Sequence, residues 1–173
     1  MNDKHNFTFF GAVLLSFGLT IPVLAIGDCF PIKGKIVNNA LGPGSTLGVV
    51  HASFRGNKFK CGLRGDGKNQ DPNDPNDIGP LNFNHTLVCD DDAGGNLPVH
   101  SQLVFDTSGY PTAAPVDCGF GNLQSFPFIE ESQPVPGTGT GQFYGITDGS
   151  ITIQGTLFCS LAIDMNFSGE LCF

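Results

Sequence analysis

Tryptophan is absent from this sequence, tyrosine occurs only at Tyr110 and Tyr144, and Lys and Arg together number eight in 173 residues. So few cations on a chain of formal charge −8 argue against nucleic acid as a partner, because phosphate neutralisation takes clustered Lys and Arg. Anionic membranes are disfavoured for the same reason. Sixteen phenylalanines outweigh the two tyrosines, so ring surface exceeds what hydroxyl groups can orient, and a dry core is expected before a greasy pocket. No Cys-x-x-Cys pair occurs, which makes zinc the weaker reading of the cysteines. A Gly-x-Ser-x-Gly elbow, a His-Glu-x-x-His helix and a phosphate-binding glycine loop are all missing. No segment after the first 25 residues supports a helix longer than two turns.

What is present begins with an apolar leader. Lys4 and His5 precede an almost uncharged run from Phe9 to Ile21, and Val23-Leu24-Ala25 offers the short side chains a signal peptidase takes. Residues 1–25 therefore read as a signal peptide. As a membrane anchor the run is shorter than the ~20 residues a spanning helix needs, and Pro22 ends it. Asp28 before Cys29 argues against a lipid-modified cysteine, whose cleavage site takes a small residue there. Residues 26–173 remain as one domain of 148 residues, still at −8 because Lys4 and Asp3 leave together. A chain of that length buries about 70% of its unfolded surface.

Cys29, Cys61, Cys89, Cys118, Cys159 and Cys172 all follow the cut. An even number in an exported chain reads as disulfides, each contributing ~2–4 kcal/mol by restricting the unfolded chain. The expected pairing puts Cys159 with Cys172 across a hairpin turning near Asp164 to Asn166, and Cys61 with Cys89 across the loop between them. Cys29 with Cys118 then ties down the N-terminus.

Strands are expected at Phe30–Val37, Thr46–Phe54 and Asn57–Leu63, the second covered on both faces because both of its alternating sets are apolar. From Gly65 to Pro80 apolar periodicity vanishes and a solvated loop is expected. Asp71, Asp74 and Asp77 there could offer hard oxygen ligands to calcium, or simply make Asx turns. Leu81–Asp90 alternates cleanly and places Phe83 and His85 on the apolar face. There His85 is either a core histidine satisfied by a neighbouring hydroxyl or carbonyl, or the best single candidate for chemistry. Asp90 to Asn96 reads as a turn, Val99–Thr107 as a strand with His100 facing water, and Gln124–Ile129 as a short strand ending at Glu130-Glu131. Phe120, Phe126, Phe128 and Ile129 are expected to be buried. Gly141–Thr147, Ser150–Phe158 and Ile163–Phe173 complete the set. Short strands punctuated by Gly and Pro point to an all-β fold, a single small antiparallel β-barrel of about eight strands carrying disulfides.

The run Gly137-Thr138-Gly139-Thr140-Gly141-Gln142-Phe143-Tyr144-Gly145, continuing to Gly155, resembles the late hairpin of the allene oxide cyclase-like and dirigent-like barrels. That resemblance implies an eight-stranded barrel with an apolar cavity. It carries over no activity, since the cyclase's catalytic residues find no matching positions here. The closing segment Met165 to Phe173 is similar to the last strand of bacterial outer-membrane barrels, whose aromatic girdles this tryptophan-free chain lacks.

The expected function is that of an exported, non-enzymatic barrel in a secreted, periplasmic or cell-surface setting, with no cofactor. It either binds a small apolar ligand, with Phe83, His85 and Phe143 as candidate contacts, or acts as a surface or matrix component. The alternatives are a secreted cyclase- or hydrolase-like enzyme in which His51 and His85 approach across strands with Asp90 nearby, or a small outer-membrane β-barrel.

Overall fold

The structure, a computed structural model, describes residues 27–42, 44–68, 81–91, 99–121 and 123–173. The expected signal peptide, residues 1–25, and the aspartates Asp71, Asp74 and Asp77 lie outside these residues. Among the described residues nine strands form: β1 (Cys29–Gly42), β2 (Ser45–Phe54), β3 (Asn57–Gly67), β4 (Phe83–Asp91), β5 (Val99–Pro111), β6 (Val116–Asp117), β7 (Gln124–Pro134), β8 (Asp148–Leu157) and β9 (Ala162–Cys172). Every pairing is antiparallel. Around the wall the order is β1-β2-β3-β4-β5-β7-β8-β9, closed by β9 on β1, with the two-residue β6 outside on β7. The fold is thus a closed eight-stranded up-and-down barrel, which leaves the wall no unpaired edge to recruit other chains.

Alternation decides what faces inward. Ile32 and Ile36 of β1, Val50, Ala52 and Phe54 of β2, and Phe59, Cys61 and Leu63 of β3 are all buried, and the positions that alternate with this set face out. The inner layer is built from large residues set opposite glycine. Phe167 of β9 is the cross-strand partner of Gly34, and both Phe128 and Met165 are partners of Gly155. A Cβ at Gly34 or Gly155 would collide with those side chains. Glycine therefore creates the room that a ring fills in a narrow barrel.

One end is sealed by aromatics. The segment after β7 crosses β5, where the Thr140 and Thr138 hydroxyls accept from Gln102 N at 3.0 Å and Val104 N at 3.1 Å. A 3-10 turn at Gly141–Phe143 then drops Phe143 beside Phe54 and Phe59, with ring centroids 5.9 and 6.2 Å apart. At the same end β2 and β3 join through Arg55-Gly56, with φ of 50° and 80°. That left-handed pair suits the right-handed twist of the hairpin but strains the non-glycine Arg55. Its guanidinium lies over the Phe30 and Phe173 rings at 4.2 and 4.4 Å, which offsets the strain.

Several expectations are corrected. The stretch Gly141 to Thr147 is not a strand, because Gly141 and Gly145, at φ of 58° and 88°, break the extended chain. β2 is covered on one face only, and Leu47 and Val49 look outward. β4 runs through Asp90 and Asp91 where a turn is expected, and β7 runs on to Pro134, carrying Glu130 into the interior. Phe120 stays 60% exposed, because the residues around β6 fold outside the wall.

The disulfides are Cys29–Cys172, Cys61–Cys89 and Cys118–Cys159. Only the second matches expectation. The last hairpin turns at Phe158 to Leu161, where Phe158 N donates to Ala162 O, rather than near Asp164. Cys159 sits at that turn and Cys172 at the far end of the strand, about 30 Å away at ~3.4 Å per residue. The seam instead makes Cys29 and Cys172 direct cross-strand partners.

Candidate functional site

Beyond the mid-barrel apolar layer the interior turns polar. Asn38, Thr46, His85, Thr107, Glu130 and Ser132 come from five strands, and all are buried. Here too glycine makes the space: Asn38 faces Gly48, Gly65 lies between Thr46 and His85, and Glu130 faces Gly109. A Cβ at any of the three glycines would strike the polar neighbour. A linear hydrogen-bonded set crosses β4, β5 and β7. His85 Nδ1 lies 3.0 Å from Thr107 Oγ1, which is 2.6 Å from Ser132 Oγ. Phe83 stacks on His85 with centroids 5.4 Å apart.

Burial governs the electrostatics. It lowers the His85 pKa to about 4, with Asp66 pulling weakly the other way. It raises Glu130 to about 8. Both groups are therefore neutral over most of the pH range between those values. Glu130 Oε2 and Thr46 Oγ1 have no hydrogen-bond partner among the described residues.

The residues named as catalytic candidates do not meet. His85 is 7% exposed and points inward from β4, whereas His51 points outward from β2 with β3 between them. Asp90 shares an outer groove with His51, Lys58 and Lys60, on the opposite side of the wall from His85. The ligand-contact candidates also divide. Phe83 and His85 sit at the polar end and Phe143 in the aromatic plug, about 20 Å away along β3 from Phe59 to Gly65. Between them Ile36, Leu63, Phe105, Ile153 and Phe167 line a space of about 40 Å³ with His85 and Ser132 on its wall. That room suits a water molecule or two, far below the ~300 Å³ at which small-molecule sites begin.

The outer wall is the less expected surface. Along β1, β2 and β3 two cationic rows run across the strands: Lys33, Ser53 and Lys58, then Lys35, His51 and Lys60. Two aliphatic rows follow. Val37, Val49, Gly62 and Val88 make the first; Leu47, between Asn39 and Arg64, centres the second. Val37 and Leu47 are 51% and 53% exposed. Lys35 reaches Asp164 at 3.1 Å and Arg64 reaches Asp66 at 2.8 Å, but no acidic group among the described residues bridges Lys33, Lys58 or Lys60. Sequence reading missed this surface because its members are spread over three strands; only the barrel register lines them up. The signal available was the confinement of Lys and Arg to the stretch ending at Lys68.

No family model, curated protein or solved structure matches this chain.

Proposed function

We propose that this protein is an exported, non-enzymatic interaction component that works through the outside of its barrel. The observation that carries this reading is the contrast between a filled interior and an exposed, chemically patterned wall. Three disulfides among the described residues accord with an oxidising compartment outside the cytoplasm. Exposed aliphatic rows bordered by charge have the make-up of a protein contact surface, apolar at the centre and polar at the rim. The wall's charges also favour this reading over a membrane-embedded barrel. Lys33, Lys58, Glu131 and Glu170 project outward while the mid-barrel interior is packed with apolar side chains, unlike a lipid-facing apolar band around a water-filled polar lumen.

The test is native mass spectrometry of protein from its own host, without reductant. The expected species is the processed chain with three intact disulfides and no small molecule retained. A stoichiometric apolar ligand that survives desolvation would instead restore the interior as the working site.

A further inference from the structure

We propose that copies of this protein assemble head to tail, the cation-edged wall of β1–β4 on one copy seating against the acidic β6–β7 side of the next. This rests on the outer-wall reading and names the partner as a second copy of the same chain.

The sequence segregates most of its charge. Lys and Arg end at Lys68, and thirteen of the sixteen Asp and Glu residues follow it. Closing the barrel turns that division along the chain into a division around a cylinder, because β2 and β7 stand four strands apart in a wall of eight and so lie on opposite sides. One side presents Lys33, Lys58 and Lys60 above Val37, Leu47 and Val49. The other presents exposed Val116, Phe120 and Phe158 around the Cys118–Cys159 disulfide, with Asp117 and Glu131 on the same side. Asp90 is the one carboxylate in the groove of Lys58 and Lys60, so mating either patch with its own copy sets mostly like charge against like. Each fits the other: apolar centre to apolar centre, lysine to carboxylate.

Long-range repulsion between copies of charge −8 does not prevent this. It is confined to a Debye length of ~8 Å in physiological salt, so local contacts decide. Four strands at ~4.8 Å by four outward rows at ~6.8 Å give a face of roughly 500 Å², below the ~800 Å² per partner of stable complexes. Association is therefore weak and concentration-dependent. A contact between unlike patches on opposite sides does not close after two copies, so growth is open-ended.

Sedimentation velocity of the mature, oxidised protein tests this, from micromolar to millimolar concentration. Wild type is expected to show a weight-average sedimentation coefficient that climbs without a plateau at dimer. The double variants Lys58→Glu/Lys60→Glu and Asp117→Lys/Glu131→Lys each stay monomeric, with association weakened by at least about tenfold. All these positions face solvent, and unchanged circular dichroism confirms the fold. An equimolar mixture of the two variants restores opposite charge across both contacts, native wall against native acidic side and one reversed patch against the other, and is expected to regain open-ended growth. A monomeric wild type at every concentration overturns self-assembly while leaving the outer-wall reading intact, as does a mixture that fails to pair. Retention of a monomeric wild type on anionic vesicles or a sulfated polymer assigns the cationic wall to that partner instead.

Discussion

At the scale of single residues, two buried ionisable groups set opposing pH dependences. Glu130 is 4% exposed with its pKa raised to about 8, so the folded chain keeps a proton that the unfolded chain releases above 4.5. Its contribution is fullest below pH 4.5 and is lost as pH rises toward 8. His85 is held neutral, with its pKa lowered to about 4, so the unfolded chain gains a proton below 6.5 that the folded chain refuses. Stability from that source falls as pH drops from 6.5 toward 4. Between 4.5 and 6.5 the two slopes cancel. From pH 6.5 to 8 only Glu130 remains, and stability is expected to fall by about 2 kcal/mol. Urea titrations across that range are expected to show the slope in wild type and a flat line in Glu130→Gln. A slope unchanged in the variant would assign the loss to another group. Gly65→Ala tests the space-making glycines: its methyl would meet both Thr46 and His85. Overpacking there is expected to cost about 1–3 kcal/mol in the same titration.

At the scale of elements, the tight β2–β3 hairpin depends on Arg55 tolerating a left-handed φ beneath two rings. Arg55→Ala keeps the strained backbone and loses the stacking, so a drop of roughly 1–2 kcal/mol is expected in thermal unfolding. Arg55→Asn, better suited to positive φ, should recover part of it. Strand positions inside the domain were largely legible, because two-residue alternation is a local property and runs such as Leu81 to Asp90 display it openly. What local reading lost was everything set by closure. The Gly-Thr-Gly run before Phe143 has strand-like composition, yet it forms a plug because the positive φ of Gly141 turns it into the barrel mouth. Outward Leu47 and Val49 looked like a second core face, since apolar character says that a residue seeks cover without saying who supplies it. His51 and His85 both sit in apolar alternations. Clean alternation already places His85 inward, whereas His51 stands between two apolar sets and only register shows that it faces out.

At the scale of the whole molecule, the three disulfides act on loops of different span. Cys29–Cys172 joins residues 143 apart in sequence, against 28 for Cys61–Cys89. Loop entropy makes the first the more stabilising, by about 1.4 kcal/mol. Pairwise Cys→Ser variants compared by urea midpoint are expected to rank in that order; the reverse ranking would mean native-state effects outweigh chain entropy. The seam bond has a mechanical consequence as well. Cys29 and Cys172 are neighbours across β1 and β9, with Cα atoms 4.0 Å apart. A load applied to the two ends of the domain therefore passes straight through one sulfur–sulfur link and never reaches the strands. Tethered by its ends, the oxidised protein is an inextensible bead. Once that link is reduced, the same pull peels the seam open and pays out the chain behind it.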